Sequence, residues 1–231
     1  MEKQEAQRRL EELREQVPVI KEVLSAMGIP ICSLPGYEAD DVLGTIAGRC
    51  AAAGAEVAIV SGDRDLLQLA TEQVKIRIPK TKQGRTEVED YYAQDVKERY
   101  QVTPTEFIDL KALMGDASDN IPGVPSIGEK TATKIITEYH SIEEAHAHVD
   151  EVKPPRASKA LKEHWDMAVM SKRLATINVD ADFPYELEEA KLGNIYTEEA
   201  YAYFHKLQFK NLLQRFDVTA PSNQVEDAFQ E

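Results

Sequence analysis

Seven carboxylates stand in three short groups of this 231-residue chain: Glu38, Asp40 and Asp41 in "GYEADD", Asp63 and Asp65 in "VSGDRDLL", and Asp116 and Asp119 in "GDASDN". Each group has an ordinary explanation by itself. Acids in a first helical turn meet the positive end of the helix dipole, an aspartate after a strand can cap the next helix, and Asp, Ser and Asn favour turns. Taken together they suggest something else. Glu38 and Asp41 share a helix face at i,i+3 spacing. Asp63 and Asp65 point the same way in extended chain, and they follow a strand at the end where α/β sheets place ligands. So many like charges converging on one sheet edge would repel unless cations lay between them. Carboxylate oxygens suit Mg²⁺ or Mn²⁺, and the lack of a nearby His/Cys set argues against zinc. Two such ions side by side are the usual apparatus of phosphodiester hydrolysis, activating water and stabilising the attacking and leaving oxygens.

The third acid group runs into "IPGVPSIG", which sets Gly123, Val124, Ser126, Ile127 and Gly128 in a turn between two predicted helices. Glycine permits positive φ and leaves no Cβ to bar a close approach. Exposed amides and carbonyls in such a turn can hold a cation or a phosphate, and the next helix begins with its positive end outward. Lys130 and Lys134 follow on one face. This pattern is a sequence-independent grip on a nucleic-acid backbone, or else a plain αα-hairpin with two solvated lysines.

Around these residues the chain alternates helix and strand and then turns helical. Two helices open it, Glu5–Gln16 and Pro18–Met27, with apolar stripes at Leu10, Leu13 and Val17, then Ile20, Val23, Leu24 and Met27. A short strand "IPICSLP", a helix Glu38–Ala53 ended by Gly54, and a strand "EVAIVSG" of the type buried in a covered parallel sheet follow. "DRDLLQLA" reads as a short helix, and "VKIRIPK" with "RTEVEDY" reads as a β-hairpin about Gly84. Strand–helix–strand order indicates an α/β layer fold. From Thr103 onward the chain reads as helix. "TPTE", "SIGE" and "SIEE" are read as capping boxes, "PPRASKALKEHWDMAVMSKRLA" as one helix with Leu161, Trp165, Ala168 and Val169 on one side, and "YTEEAYAYFHKLQFKNLLQRF" as another. The tail from Val218 has no periodicity.

The formal charge of −14 weighs against nucleic acid, but binding follows the local field. Between Lys153 and Arg173 six cations face two anions, a fair candidate for phosphate contacts. Bound divalent ions would offset the acids. No apolar run is long enough to cross a bilayer, the charged start is unlike a signal peptide, and a cytoplasmic monomer is expected. Cys32 and Cys50 are read as buried thiols. His146 and His148, two apart, point to different helix faces and are not read as ligands. Tyr91, Tyr92, Tyr201 and Tyr203 are assigned to packing ahead of base stacking.

"GYEADDVLGTIA", "VSGDRDLLQL", "LKALMGDASDNIPGVPSIGEKTA" and "FHKLQFKNLLQRF" closely resemble the 5′-nuclease (flap endonuclease-like) domain of bacterial DNA polymerase I, from about Leu10 to Phe216. The resemblance implies a PIN-like α/β parallel-sheet nuclease domain with a C-terminal helical subdomain holding a helix–three-turn–helix DNA-binding motif. It implies Mg²⁺-dependent 5′→3′ exonuclease and structure-specific flap cleavage in replication and repair. By motif match Glu38, Asp40, Asp41, Asp63, Asp65, Asp116 and Asp119 would be the metal-site carboxylates, and the Gly123–Gly128 turn would grip duplex DNA and hold K⁺. The expected divisions are 1–28 (arch-side helices), 29–102 (α/β metal-site region), 103–217 (helical DNA-binding subdomain) and 218–231 (tail or linker). Family members begin with a strand and a second segment that each carry an aspartate, then a basic helical arch. Nothing before Leu10 matches these, so a fragment or trimmed form is expected, with a polymerase domain in a full-length gene product. The alternative is a DNA-binding module that no longer cuts. A third option is an α/β metal-binding domain acting on RNA or a small phosphoester.

Overall fold

A computed structural model describes residues 2–82, 85–184 and 186–216. The expected turn at Gly84 and the tail from Val218 lie outside these. The chain divides into two compact units, Leu34–Phe183 and the described residues of Met1–Ser33 with Pro184–Glu231. No helix among the described residues is long and apolar enough to cross a membrane.

The larger unit starts with α2 (Ala39–Ala52) and β1 (Val57–Val60), followed by a 3₁₀ turn, Asp65–Leu69. β2 (Val74–Lys82) and β3 (Arg85–Tyr91) complete a sheet of order β1-β2-β3. β1 runs parallel to β2 with Val57 opposite Val74, and β2 and β3 are antiparallel with Ile76 opposite Tyr91, so the sheet is mixed. The β2–β3 pairing is as expected. β1, however, is not covered on both faces: Ile59 is buried while Ala58 and Val60 are exposed, Val60 at 63%. The apolar run is therefore a one-sided strand, buried at alternate positions.

Helices follow. α3 (Ala93–Tyr100) was not legible in the sequence; Asp95 accepts from the Tyr92 amide to start it, and Gln101, at φ 64°, ends it in place of a glycine. α4 (Pro104–Met114) begins at the expected capping box. Thr103 Oγ1 accepts from the Glu106 amide, and the Glu106 carboxylate accepts from the Thr103 amide at 2.7 Å. α5 (Glu129–Tyr139) is capped by Gly128, not by Ser126. Ser126 sits at φ 68°, and an N-cap needs extended backbone. α6 (Ile142–Ala147) does start at Ser141, which accepts from the Glu144 amide.

The expected single helix over 154–175 is two, α7 (Pro155–Glu163) and α8 (Trp165–Ala175). His164 leaves the helical region at φ −123° and serves both ends. The break turns Ala168, Ser171 and Ala175 inward and leaves Val169 45% exposed. His146 stacks on Trp165 with centroids 4.0 Å apart. Leu66, Leu67, Ile76, Val96, Phe107, Leu113, Ile135 and Leu161 form one continuous core from sheet to helices.

In the smaller unit α1 (Glu2–Ala26) is one helix, not two. Pro18 lies inside it, and the good helix formers on both sides carry the helix through despite the lost N–H bond and the ring's clash with the preceding turn. Val23 and Ala26 pack against α9 (Glu198–Lys206) and Phe216, while Leu10 and Leu13 are exposed. The expected last helix breaks at Gln208, φ 57°, into α9 and a short α10 (Lys210–Leu213). Tyr201 and Tyr203 pack on this cluster, and Tyr91 lies in the core of the larger unit. The expected strand "IPICSLP" is absent, since it joins no ladder among the described residues, and Cys32 within it is exposed, against expectation. Cys50 is half-buried.

Candidate metal centre

All three acid groups belong to the larger unit, and each is delivered by the end of an element. Glu38 is the N-cap of α2, with Asp40 and Asp41 in its first turn. Asp63 follows β1 and makes a tight turn, accepting from the Asp65 amide at 2.9 Å. Asp116 and Asp119 occupy a loop after α4 whose neck is closed by two bonds between Asp116 and Ile121, of 2.9 and 2.8 Å, and by Val124 N to Leu113 O at 2.8 Å. Two glycines make that neck feasible. Gly115 and Gly123 both have positive φ, and a Cβ on Gly123 would lie 2.4 Å from the Gly115 nitrogen.

Six of the seven acids line one cleft of about 310 Å³: Glu38, Asp40, Asp41, Asp63, Asp65 and Asp119. Asp116 lines an adjoining cavity shared with Asp63, Asp65 and Asp119. Asp65, Asp116 and Asp119 each offer an oxygen within 4.8 Å of the others.

The charges are unevenly balanced. Lys111, on the last turn of α4, is buried and bonds both Asp65 and Asp116. Burial works against its ammonium, but the bonds to Asp116 and Asp65 outweigh it and push its pKa up. Asp116 is held down to about 2 by Lys111 and then by Ser118, whose amide it accepts at 2.8 Å. Asp65 is pushed up, by burial first, with Asp63 and Asp119 adding to it against the pull of Lys111. At the other end no cation stands among the described residues that line the cleft. Asp40 is pushed up to about 6, by burial and then by Asp63, Asp65, Glu38 and Asp41. Asp41 is turned differently from Asp40. One of its oxygens accepts from the Glu38 amide at 3.2 Å and the other from the Asn178 amide at 2.8 Å. The donor set is all carboxylate oxygen with an excess of negative charge at the Asp40 end, which fits a hard divalent cation.

Lys111 is the site residue that sequence reasoning missed. The glycine turn beyond the acids divides in two. Gly123, Val124 and Ile127 are buried, so the turn presents Ser126, Gly128, Lys130 and Lys134 to solvent. Neither lysine forms an ion pair with the described residues. The basic segment is partly committed: Lys172 bonds Asp109 at 2.7 Å and Glu143 at 2.8 Å, and Lys162 bonds Asp150 at 2.5 Å.

A half-covered sheet with an acid cleft at the strand ends and a helical module behind it is a nuclease architecture, and solved nucleases share it. The zinc-bound T5 5′-exonuclease is 27% identical, with a TM-score of 0.56 over 64% of this chain and 53% of that one. The catalytic core of Rad2 in complex with DNA substrate, 16% identical, shares the fold with a TM-score of 0.54 over 84% of this chain and 62% of that one. The family described as "5'-3' exonuclease, N-terminal resolvase-like domain" matches residues 3–101, and "5'-3' exonuclease, C-terminal SAM fold" matches 102–198. The chain therefore belongs to the 5′→3′ exonuclease family, in the form found in DNA polymerase I. It is 43% identical to DNA polymerase I of Bacillus caldotenax over 93% of its length and 45% identical to that of Bacillus subtilis over 88%. It spans about a quarter of those relatives, 24% and 23%.

Proposed function

We propose that the chain hydrolyses DNA phosphodiesters as a structure-specific 5′→3′ exonuclease and flap endonuclease of the DNA polymerase I type, acting in replication and repair. Glu38, Asp40, Asp41, Asp63, Asp65, Asp116 and Asp119 would hold two Mg²⁺ or Mn²⁺ ions. Such ions, when bound, activate water and offset charge on the attacking and leaving oxygens. The acid groups set where the scissile phosphate must lie, and Lys111 holds Asp116 ionised and bonds Asp65 without an external ion. Ser126, Gly128, Lys130 and Lys134 present a small exposed surface for the duplex backbone, with K⁺ a candidate for the turn's carbonyl oxygens. Residues 29–102, with Asp116 and Asp119, would thus cut, and the rest of 103–217 would hold.

The observation that carries this reading is the convergence of six acids on one cleft whose Asp40 end has no cation among the described residues. The test is cleavage of a labelled 5′-flap duplex in Mg²⁺ and then in EDTA. Activity should need the metal and fall by about 10³-fold or more in Asp63→Ala plus Asp116→Ala. Cleavage that survives either change would end the metal mechanism.

A second reading, duplex binding without turnover, draws on the Lys111 ammonium lying between Asp65 and Asp116. A gel shift with no product after hours in Mn²⁺ would favour it.

A further inference from the structure

The acid groups lie far apart in sequence, yet one segment touches the element that carries each of them. It is the end of α8 and the extended chain after it, Ser171 to Ala181. Ser171 is fully buried, and its Oγ accepts from the Gly123 amide at 3.0 Å, at the neck of the Asp116–Asp119 loop. Gln68 lies on the 3₁₀ turn that begins at Asp65. It donates from Nε2 to the Ala175 carbonyl at 2.9 Å and accepts from the Ile177 amide at 3.0 Å. Thr45, buried one turn beyond Asp41 on α2, accepts from the Ala181 amide at 3.1 Å. Gly44 lets the segment lie close, since a Cβ there would sit 3.1 Å from both Ile177 and Val179. Ala175, Thr176 and Ile177 also line the acid cleft.

Carboxylates cannot donate to one another when ionised, and at this density they push their elements apart. Their spacing must be held from behind, by bonds that are costly to leave unmade when buried. The side chain of Gln68, bonded at both its oxygen and its nitrogen, has one orientation that satisfies it. Ser171 gives the Gly123 amide its acceptor.

We propose that Gln68 and Ser171 are positioning residues, which use the 171–181 segment as a common ruler to set the Asp63–Asp65 turn and the Asp116–Asp119 loop against α2. The proposal rests on the metal-centre reading above, so its test has two readouts. Ser171→Ala and Gln68→Met keep side-chain size. Ile142→Val, in a buried residue outside the segment and the acid-bearing elements, serves as a control for lost stability alone. Mn²⁺ binding by calorimetry, without DNA, should weaken about tenfold or more in each of the first two and stay within about twofold in the control. Amide hydrogen exchange should quicken about tenfold at Asp116, Ile121 and Gly123 in Ser171→Ala, and at Ile177 in Gln68→Met. Wild-type Mn²⁺ affinity in both variants would overturn the proposal, as would an equal loss in the control. If the parent chain binds no Mn²⁺, the metal-centre reading fails and exchange alone decides. Acceleration confined to the named amides then upholds the ruler, and unchanged exchange removes it.

Discussion

At one end of the cleft Asp116 is held down to about 2 by Lys111 and Ser118, and at the other Asp40 is pushed up to about 6 by burial and four neighbouring acids. The groups are chemically the same, and the difference lies in what was folded beside them. Where the chain supplies its own cation, Asp116 is held ionised, and it and Asp65 are bonded in place before any ligand arrives. Where it does not, the fold carries an electrostatic cost that a divalent ion would remove. An external cation therefore has most to gain at the Asp40 end, while the Lys111 end acts as a rigid abutment.

The largest effect should come from making the two ends alike. Lys111→Met leaves Asp65 and Asp116 without their shared partner, and breaking a buried pair of this kind costs about 3–5 kcal/mol. Urea denaturation in EDTA should show that loss, and Mn²⁺ should restore part of it. A variant as stable as the parent would mean that water already neutralises this end.

Relieving the other end should have the opposite sign. Asp40→Asn is expected to raise stability in EDTA at pH 7 by about 1 kcal/mol, after discounting for solvent screening, and to shrink the rise in Tm that Mn²⁺ gives the parent. Equal Mn²⁺ shifts in both would place the ion elsewhere.

The same group fixes a pH dependence. Its folded pKa of about 6 lies above the ordinary carboxylate value of 3.8, so the folded state binds more protons than the unfolded one between those values. This contribution to stability is therefore full below about pH 4 and is lost as pH rises through about 6. In EDTA the parent's denaturation midpoint should decline over that window relative to Asp40→Asn, and Mn²⁺ should flatten the difference. Parallel profiles for the two proteins would contradict the assignment.

The smallest effect is at the compensated end. Ser118→Ala removes the hydroxyl bond to Asp116 but keeps the amide one, and should cost about 0.5–1 kcal/mol while Lys111 keeps the carboxylate ionised. A larger loss, seen in the same urea titration, would show that Ser118 rather than Lys111 anchors the loop.

Features encoded locally were legible in the sequence. The Thr103–Glu106 capping box, the β2–β3 alternation and the grouping of acids at element ends each need only a few neighbouring residues to specify them. The rest depends on partners that spacing does not reveal. Lys111 stands five residues before Asp116, a separation with no helical meaning, and matters because Asp65 arrives from another element. Asp41 looks equivalent to Asp40 in "EADD", and the Glu38 amide together with the return of Asn178 along α2 separates their roles. Pro18 and His164 misled in opposite directions: a helix of good helix formers ran through the first, and the helix broke at the second, where Ala168, Ser171 and Ala175 turn inward. Ser126 resembled a cap until its backbone proved left-handed.

Gly123 and Gly128 look interchangeable in "IPGVPSIG", yet the fold demands only one of them. Gly123 is wedged against Gly115 at positive φ, while the space where a Cβ on Gly128 would lie is open. A saturation library sorted for folding alone should freeze the first position and let the second drift. Sorting the same library for capture of duplex DNA would show whether an outside molecule claims the room that Gly128 leaves.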